Sequence, residues 1–330
     1  MCLVKGPYFG PMRHTIILIL WLLIPRDSLS MMCWNVENFF DWRNDSTTVS
    51  DTEFSSRGER HWTWKRFQAK ANAFAKALFW VEGETGRLPD IVGLEEVENA
   101  FVLRQLLQKT ALRKTDYKYV HYDSPDRRGI DVALLYRSSV LELVASKPCH
   151  LYEADTVMAT RDILLCVFRR KEPPESLPFA VLVNHHPSKY GGASESEPKR
   201  RIAVDRLRFL ADSLVAEDID RIIAGGDFND TPDNPVFLRL EPALKPLHTA
   251  LSRRGEGTIK YDGKWDLIDH FYASPAIMVG DPSMRILRIP FLLTRDTAHS
   301  GDKPLRTHTG PRPTGGVSDH LPSLLELTLP

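Results

Sequence analysis

Six stretches of this 330-residue chain end an apolar run in a group that can hold a cation or move a proton. "MMCWNV" delivers Asn35, "DIVGLEEVEN" delivers Glu95 and Glu96, and "FAVLVNHHPSKYGG" delivers His185 and His186. Further on, "IIAGGDFNDTP" gives Asp227 and Asn229, "KWDLIDHFYAS" gives Asp269, and "GGVSDHLP" sets Asp319 beside His320. Taken singly, each has an ordinary structural reading: Asp227 opens a turn, His185 is a hydrogen-bonded core histidine, and Asp269 ends a strand against an arginine. Gathered in one place they mean something else. Several carboxylates, two carboxamides and two imidazoles in an apolar scaffold repel and desolvate one another unless cations compensate them. Hard oxygen donors suit Mg²⁺, Mn²⁺ or Ca²⁺ rather than zinc. Such an ion neutralises phosphate oxygens, orients the group and acidifies bound water, so hydrolysis of a phosphate ester is the chemistry expected.

The elements that must position these groups are short strands and a few helices. Strand character recurs at 31–36, 90–94, 117–122, 131–137, 163–169, 179–185, 221–226, 266–274 and 322–329. Helical spacing puts Phe67, Ala71, Phe74, Ala75 and Leu78 on one face of 63–83, and Ile202, Leu207, Leu210 and Leu214 on one face of 197–217. Strand pairs with no helix between them imply hairpins and therefore mixed sheets. The Pro-rich "RRKEPPESLP" (169–178) is a turn between strands, and no repeat or low-complexity linker divides the chain. Residues 31–330 therefore read as one domain.

Residues 1–30 differ in kind. An apolar run, Thr15 to Ile24, follows basic residues and precedes small ones at Ser28 and Ser30, the pattern of a secretory signal peptide cleaved near Ser30. The run is too short to span a bilayer, so no transmembrane segment is expected once the signal is removed, and the location expected is periplasmic or secreted. Cys33, Cys149 and Cys166 remain, an odd number without CxxC spacing, so neither a zinc site nor a disulfide framework follows. Cys33 and Cys166 lie in strand-like runs and read as small core residues. Lys plus Arg and Asp plus Glu both number 43, which leaves no global positive charge to hold duplex DNA. Contact with nucleic acid has to come from a local patch. "SSRGERHWTWKR" (55–66) offers Arg57, Arg60, Lys65 and Arg66 with Trp62 and Trp64, either a base-stacking surface or a helix start with half-buried tryptophans. "KRR" (199–201) reads as the solvated face of a helix.

The motifs "WNVENFFD", "PDIVGLEEVEN", "RRGIDVALLYR", "NHHPSKYGG", "GGDFND", "KWDLIDHFYAS" and "GGVSDHLP" occur in the order of the endonuclease/exonuclease/phosphatase (DNase I-like) superfamily, which the chain resembles over about 31–329. The resemblance implies an α/β fold, a four-layer α-β-β-α sandwich of two mixed sheets with helices on both outer faces. It implies Asn35, Glu96 and Asp319 as ligands of Mg²⁺, Mn²⁺ or Ca²⁺. Glu95 stands where the family usually has Gln, a departure that leaves its role open. Asp227 is then expected to orient or deprotonate the attacking water, with Asn229 beside it. His320, oriented by Asp269, is expected on the scissile phosphate, and His185 on the transition state or the leaving oxygen. Arg128 and Lys189 are candidate phosphate contacts. A histidine titrating near neutrality predicts activity that falls toward acid. The activity implied is an exported metal-dependent phosphodiesterase, acting as an endonuclease or exonuclease on DNA or RNA. The alternatives are a phospholipid head-group or inositol-phosphate phosphoesterase and a catalytically silent binding module. No stable protein partner is implied.

Overall fold

The computed structural model describes residues 28–44, 48–189 and 192–329. Along the chain, β1 (Ser28–Phe39), α1 (Trp64–Thr85), β2 (Ile91–Val97), α2 (Ala100–Lys109), β3 (Tyr117–His121) and β4 (Asp131–Arg137) come first. Next come β5 (Leu141–Cys149), β6 (Ile163–Arg170), β7 (Phe179–His185), α3 (Ala193–Ala216), β8 (Ile222–Asp227), β9 (Lys245–Pro246) and β10 (Asp269–Ala273). The chain then returns through β11 (Ser283–Ile286) and β12 (Ser323–Thr328). One six-stranded sheet has the order β11-β12-β1-β2-β4-β3 and the other β9-β10-β8-β7-β6-β5. Each is mixed: β1 pairs β2 parallel and β7 pairs β8 parallel, while the flanking pairs are antiparallel.

Strand parity builds the layers, because successive side chains point to opposite faces of a sheet. In β1, Met32, Trp34 and Val36 join Phe67, Ala71, Phe74 and Leu78 of α1 in an outer core, whereas Leu29, Met31 and Cys33 face the other sheet. In β7 and β8, Ala180, Leu182, Ile222 and Ala224 meet Val204, Leu207, Leu210 and Ala211 of α3, whereas Val181, Val183 and Ile223 face inward. Three cores therefore separate four layers, the expected sandwich. Both faces of the central strands are covered, which is why they read as unbroken apolar runs. The sheets come closest at glycines: a Cβ on Gly225 would lie 2.5 Å from the Phe271 ring and 2.9 Å from Cys33 Sγ. Cys33, Cys149 and Cys166 are buried free thiols.

The first strand starts earlier than the expected domain boundary. Residues 28–30 pair with residues 326–328 of β12, Leu29 is fully buried, and the Ser30 N–H and hydroxyl donate to Asp90 at 2.9 and 3.2 Å. The rest of the expected signal, residues 1–27, lies outside the described residues. Among the described residues no helix is long and apolar enough to cross a membrane.

Helix α1 closes with Gly86 in the left-handed region, and its start is capped by Thr63. Trp62 is packed between Phe54 and His308 and donates to the Phe40 carbonyl, so of the two tryptophans of the basic-aromatic stretch only Trp64 is exposed. Arg60 and Arg66 are spent on Glu53 and on backbone carbonyls. The stretch is a helix start rather than a stacking surface. In "KRR", Lys199 and Arg201 are exposed as expected, but Arg200 is buried and donates to Asp230 at 3.1 Å. That correction has a plain cause: α3 lies against the loop after β8, and Asp230 there needs a cation.

Candidate active site

At one end of the inter-sheet layer the apolar parity turns polar in five strands at once. Met31 and Cys33 are followed two residues on by Asn35, Ile91 and Gly93 by Glu95, Val181 and Val183 by His185, and Ile223 and Gly225 by Asp227; antiparallel β10 enters at Asp269. Pairing register then fixes neighbours, with Asn35 opposite Glu95, and Asp227 opposite both His185 and Asp269. The two sheets meet through side chains. Asn35 Nδ2 donates to Asp227 Oδ2 at 3.0 Å, and Asn35 Oδ1 accepts the Glu37 N–H at 2.9 Å.

His320 completes the row. Its Nδ1 lies 2.9 Å from Asp269 Oδ2, which leaves Nε2 turned toward Asp227, 3.9 Å from Oδ2. The turn that carries it is clamped on three sides: Ser318 Oγ donates to the Asn35 carbonyl (2.5 Å) and accepts the His320 N–H (2.9 Å), and Trp34 Nε1 donates to the His320 carbonyl (3.0 Å). His185 Nε2 stands 3.6 Å from Asp227 Oδ2 and 4.0 Å from Glu96 Oε1, while its Nδ1 has no partner. Glu96 reaches the cleft because β2 bulges there: its φ is +65°, a region a Glu rarely adopts, and its Oε2 accepts the Asn38 N–H at 2.8 Å. Asn229 donates its backbone N–H to Asp227 Oδ1 (2.8 Å) and its Nδ2 to the His186 carbonyl (2.9 Å), so its amide nitrogen holds the neighbouring strand end.

Protonation follows from these contacts. Burial alone would lower the His320 pKa, but Asp269, its hydrogen bond and Asp227 outweigh it and raise the imidazole well above 6.5. His185 goes the other way, well below 6.5, through burial and the nearby Arg161 and Arg128 guanidinium groups. At neutral pH the first is a cation and the second is neutral. Both imidazoles are displaced from their ordinary range, so the expected fall in activity toward acid rests on Asp227 rather than on a histidine. Burial, partly offset by His320, pushes Asp227 up to about 7.

Four further residues belong to the cleft that the sequence reading did not name. Glu37 Oε1 accepts from Arg306 Nη2 at 3.1 Å and its Oε2 from the Thr307 N–H at 2.6 Å. Arg306 Nη2 also meets Asp319 Oδ2 at 3.2 Å. Lys70, fully enclosed on the apolar face of α1, donates to the Glu37 carbonyl and to Thr307 Oγ1; burial lowers it to about 8, with Glu37, Glu96 and Asp319 the carboxylates around it. Arg161 donates to Asp126 (3.1 Å) and to the His186 carbonyl (2.7 Å). A lysine among Phe67, Ala71 and Phe74 was a legible signal for Lys70; loops carried Arg161 and Arg306 with none.

All ten expected site residues are accounted for. Asn35, Glu96, His185, Asp227, Asn229, Asp269 and His320 converge, and Asp319 joins through Arg306. Arg128 is half-exposed, 3.9 Å from Asp126, and near enough to His185 to depress it. Lys189 is tied to Asp230 at 2.6 Å, beside Arg200. The oxygen-rich set Asn35, Glu96 and Asp319 fits a hard divalent cation, because carboxylates outnumber Lys70, Arg306 and Arg161 around the cleft. A separate compact group of His121, Asp123 and Asp131 lies where β3 ends and β4 begins, with His121 Nε2 already 3.0 Å from Asp131.

Glu95 is the anomaly. It is fully buried with neither carboxyl oxygen hydrogen-bonded, and burial, Asp269 and Asp227 raise its pKa well above 4.5. A folded acid with a raised pKa takes up a proton that the unfolded chain releases, so its stability contribution is intact below about pH 4.5 and lost as pH rises. Glu95→Gln removes that titration. In chelator, the variant is expected to gain on the wild type as pH rises above about 4.5, by up to about 1.4 kcal/mol per pH unit. Parallel stability curves in urea would show that Glu95 is not held as the neutral acid.

A family model described as the endonuclease/exonuclease/phosphatase family matches residues 30–329. The chain belongs to that family. It is accordingly a metal-dependent hydrolase of phosphate ester bonds. Among solved structures, an endonuclease/exonuclease/phosphatase family protein from Bacteroides thetaiotaomicron is 17% identical, with 92% of this chain and 98% of that one covered at a TM-score of 0.59. The catalytic domain of human Nocturnin with bound sulfate is 18% identical, with 93% and 96% covered at 0.57. D. rerio TDP2 complexed with a single-strand DNA product is 15% identical, with 91% and 98% covered at 0.55. These likenesses establish the shared fold. A search of curated protein sequences found no match.

Proposed function

We propose that this family member is an exported phosphodiesterase that cleaves nucleic-acid-like esters with the help of a divalent cation. The observation that carries the reading is the row His185, Asp227 and Asp269 across β7, β8 and β10, completed by His320 on the turn before β12, with Asn35 and Glu96 facing it from the other sheet. When bound by Asn35, Glu96 and Asp319, a divalent cation supplies charge neutralisation at the phosphate and a more acidic water. The chain's own groups do the rest. His320, a cation fixed by Asp269, donates Nε2–H to a phosphate oxygen. Asp227, held by Asn35 and Asn229, accepts the proton of the attacking water. Neutral His185 donates an N–H to the charge that builds up, a better role than proton transfer for an imidazole so hard to protonate.

The single-strand DNA product in the TDP2 neighbour supports a nucleic-acid substrate. A mannosyl-6-phosphatase from Bacteroides thetaiotaomicron, 17% identical, shows that the same fold also appears under a monoesterase name. Activity is therefore to be measured with Mg²⁺ or Mn²⁺ on bis(4-nitrophenyl) phosphate, plasmid DNA, sphingomyelin and an inositol phosphate. Cleavage of the first two, abolished by EDTA and restored by the metal, is the expected result. Turnover confined to the inositol phosphate or sphingomyelin would reassign the substrate, and full activity in EDTA would remove the metal. Export is tested apart from this, by locating the protein in fractions of the cell that makes it.

A further inference from the structure

Asn35, Glu96 and Asp319 are all tied to one two-residue kink in β1. Pairing of β1 with β2 is interrupted between Asn35 and Phe39, and there Glu37 and Asn38 both take left-handed φ values, +45° and +53°, a conformation unfavourable for residues other than glycine. The kink aims successive backbone groups at two of the three. The Glu37 N–H donates to Asn35 Oδ1 at 2.9 Å, and the Asn38 N–H donates to Glu96 Oε2 at 2.8 Å. Asp319 is reached through the Glu37 side chain: Oε1 accepts from Arg306 Nη2 at 3.1 Å, and the same nitrogen lies 3.2 Å from Asp319 Oδ2. Glu37 Oε2 takes the Thr307 N–H at 2.6 Å, so both carboxylate oxygens are already engaged.

Backbone held in so unfavourable a region persists only where its surroundings enforce it. Lys70 does so from below. It is 3% exposed, and its ammonium lies 5.4 Å from the centre of the Phe39 ring and 5.8 Å from that of Trp62, donating to the Glu37 carbonyl at 2.5 Å and to Thr307 Oγ1 at 2.9 Å. Neither acceptor is a carboxylate, so this buried charge braces backbone rather than forming an ion pair. Thr307 Oγ1 passes the restraint on by donating to the Val317 carbonyl at 2.9 Å, two residues before Asp319. Residues 306–316 are an excursion closed at its neck, where the Val317 N–H donates to the Leu305 carbonyl at 3.1 Å. The neck has no slack: a Cβ on Gly316 would lie 1.8 Å from the Leu305 carbonyl oxygen.

We propose that Glu37, Lys70, Arg306 and Thr307 form a clip that sets the spacing of Asn35, Glu96 and Asp319 for the divalent cation. All four are positioning residues that act through those three. The proposal rests on the reading of Asn35, Glu96 and Asp319 as the cation's ligands, and adds what fixes them relative to one another.

The test is the Mn²⁺ affinity of the whole protein, followed by the electron paramagnetic resonance signal of the free ion, in wild type, Lys70→Met and Arg306→Ala. Melting temperatures are measured in EDTA alongside. Each substitution removes a positive charge from among Glu37, Glu96 and Asp319, so charge alone predicts tighter binding of a cation. The clip predicts the opposite sign, binding about tenfold weaker in each variant, the scale for losing a group that orients a metal ligand. Met keeps the length of the lysine stem in the core, and Arg306 is half-exposed, so Arg306→Ala decides the matter should Lys70→Met fail to fold. Unchanged or tighter Mn²⁺ binding by folded Arg306→Ala would overturn the proposal. So would a lowered melting temperature with the affinity of the folded protein unchanged, which is the result for a merely structural support. Wild type that binds no Mn²⁺ sinks the ligand assignment itself, whereas wild-type binding that neither variant weakens sinks only the clip.

Discussion

His320→Ala is expected to lower kcat on bis(4-nitrophenyl) phosphate at least about a hundredfold, the scale for a positioned proton donor or oxyanion contact. The reason is electrostatic. Asp269 holds the ring by Nδ1 at 2.9 Å, and with Asp227 it keeps the imidazole charged, so what is deleted is a fixed cationic donor rather than a titrating base. The turn itself survives, because Ser318 and Trp34 grip the His320 backbone and not its ring. Some stability is lost, since Asp269 is left buried without its partner. Kinetics are therefore read well below a melting temperature measured for the variant. A folded His320→Ala protein with kcat within tenfold of wild type would remove His320 from the reaction.

Asp227→Asn is expected to cost at least as much, although the two side chains have the same shape. Asp227 accepts on both oxygens, from the Asn229 N–H on Oδ1 and from Asn35 Nδ2 on Oδ2. An amide can keep only one of these. If its oxygen serves Asn229, its NH₂ opposes that of Asn35, and turning Asn35 over breaks the bond its Oδ1 takes from the Glu37 N–H. The substitution thus removes the proton acceptor and disturbs a cation ligand together, and a loss of about a hundredfold or more in kcat/KM follows. Steady-state kinetics with saturating Mg²⁺ separate the two: a loss that excess metal restores would mean Asp227 serves the ion and not the water.

The polar end of the inter-sheet layer was legible where a polar residue ends an apolar strand run, as in Cys33 to Asn35 or Val183 to His185. That pattern is local, and local patterns are what a sequence displays. What stayed hidden was non-local. Arg306 meets Glu37 across 269 positions and its neighbour Asp319 lies in another loop, so nothing near Arg306 announces its use. Arg200 read as solvated because its helix neighbours are, and only the docking of α3 on the loop after β8 buries it. Strand β5 escaped because it is an edge strand, alternately exposed and polar, and α2 because its ten residues carry a narrow apolar stripe.

The beginning of β1 bears on how such a protein could be processed. The Ser28 carbonyl takes hydrogen bonds from both Arg87 and Arg170, and Leu29 is sealed between the sheets. A peptidase cutting behind Ser30 would strip the central strand of its anchoring residues and unpair the neighbouring ribbon, so a mature form that begins at or before Ser28 is the one that keeps the barrel of contacts under the cleft whole. Amino-terminal sequencing of the protein isolated from the cell that makes it would show whether the chain is cut and where.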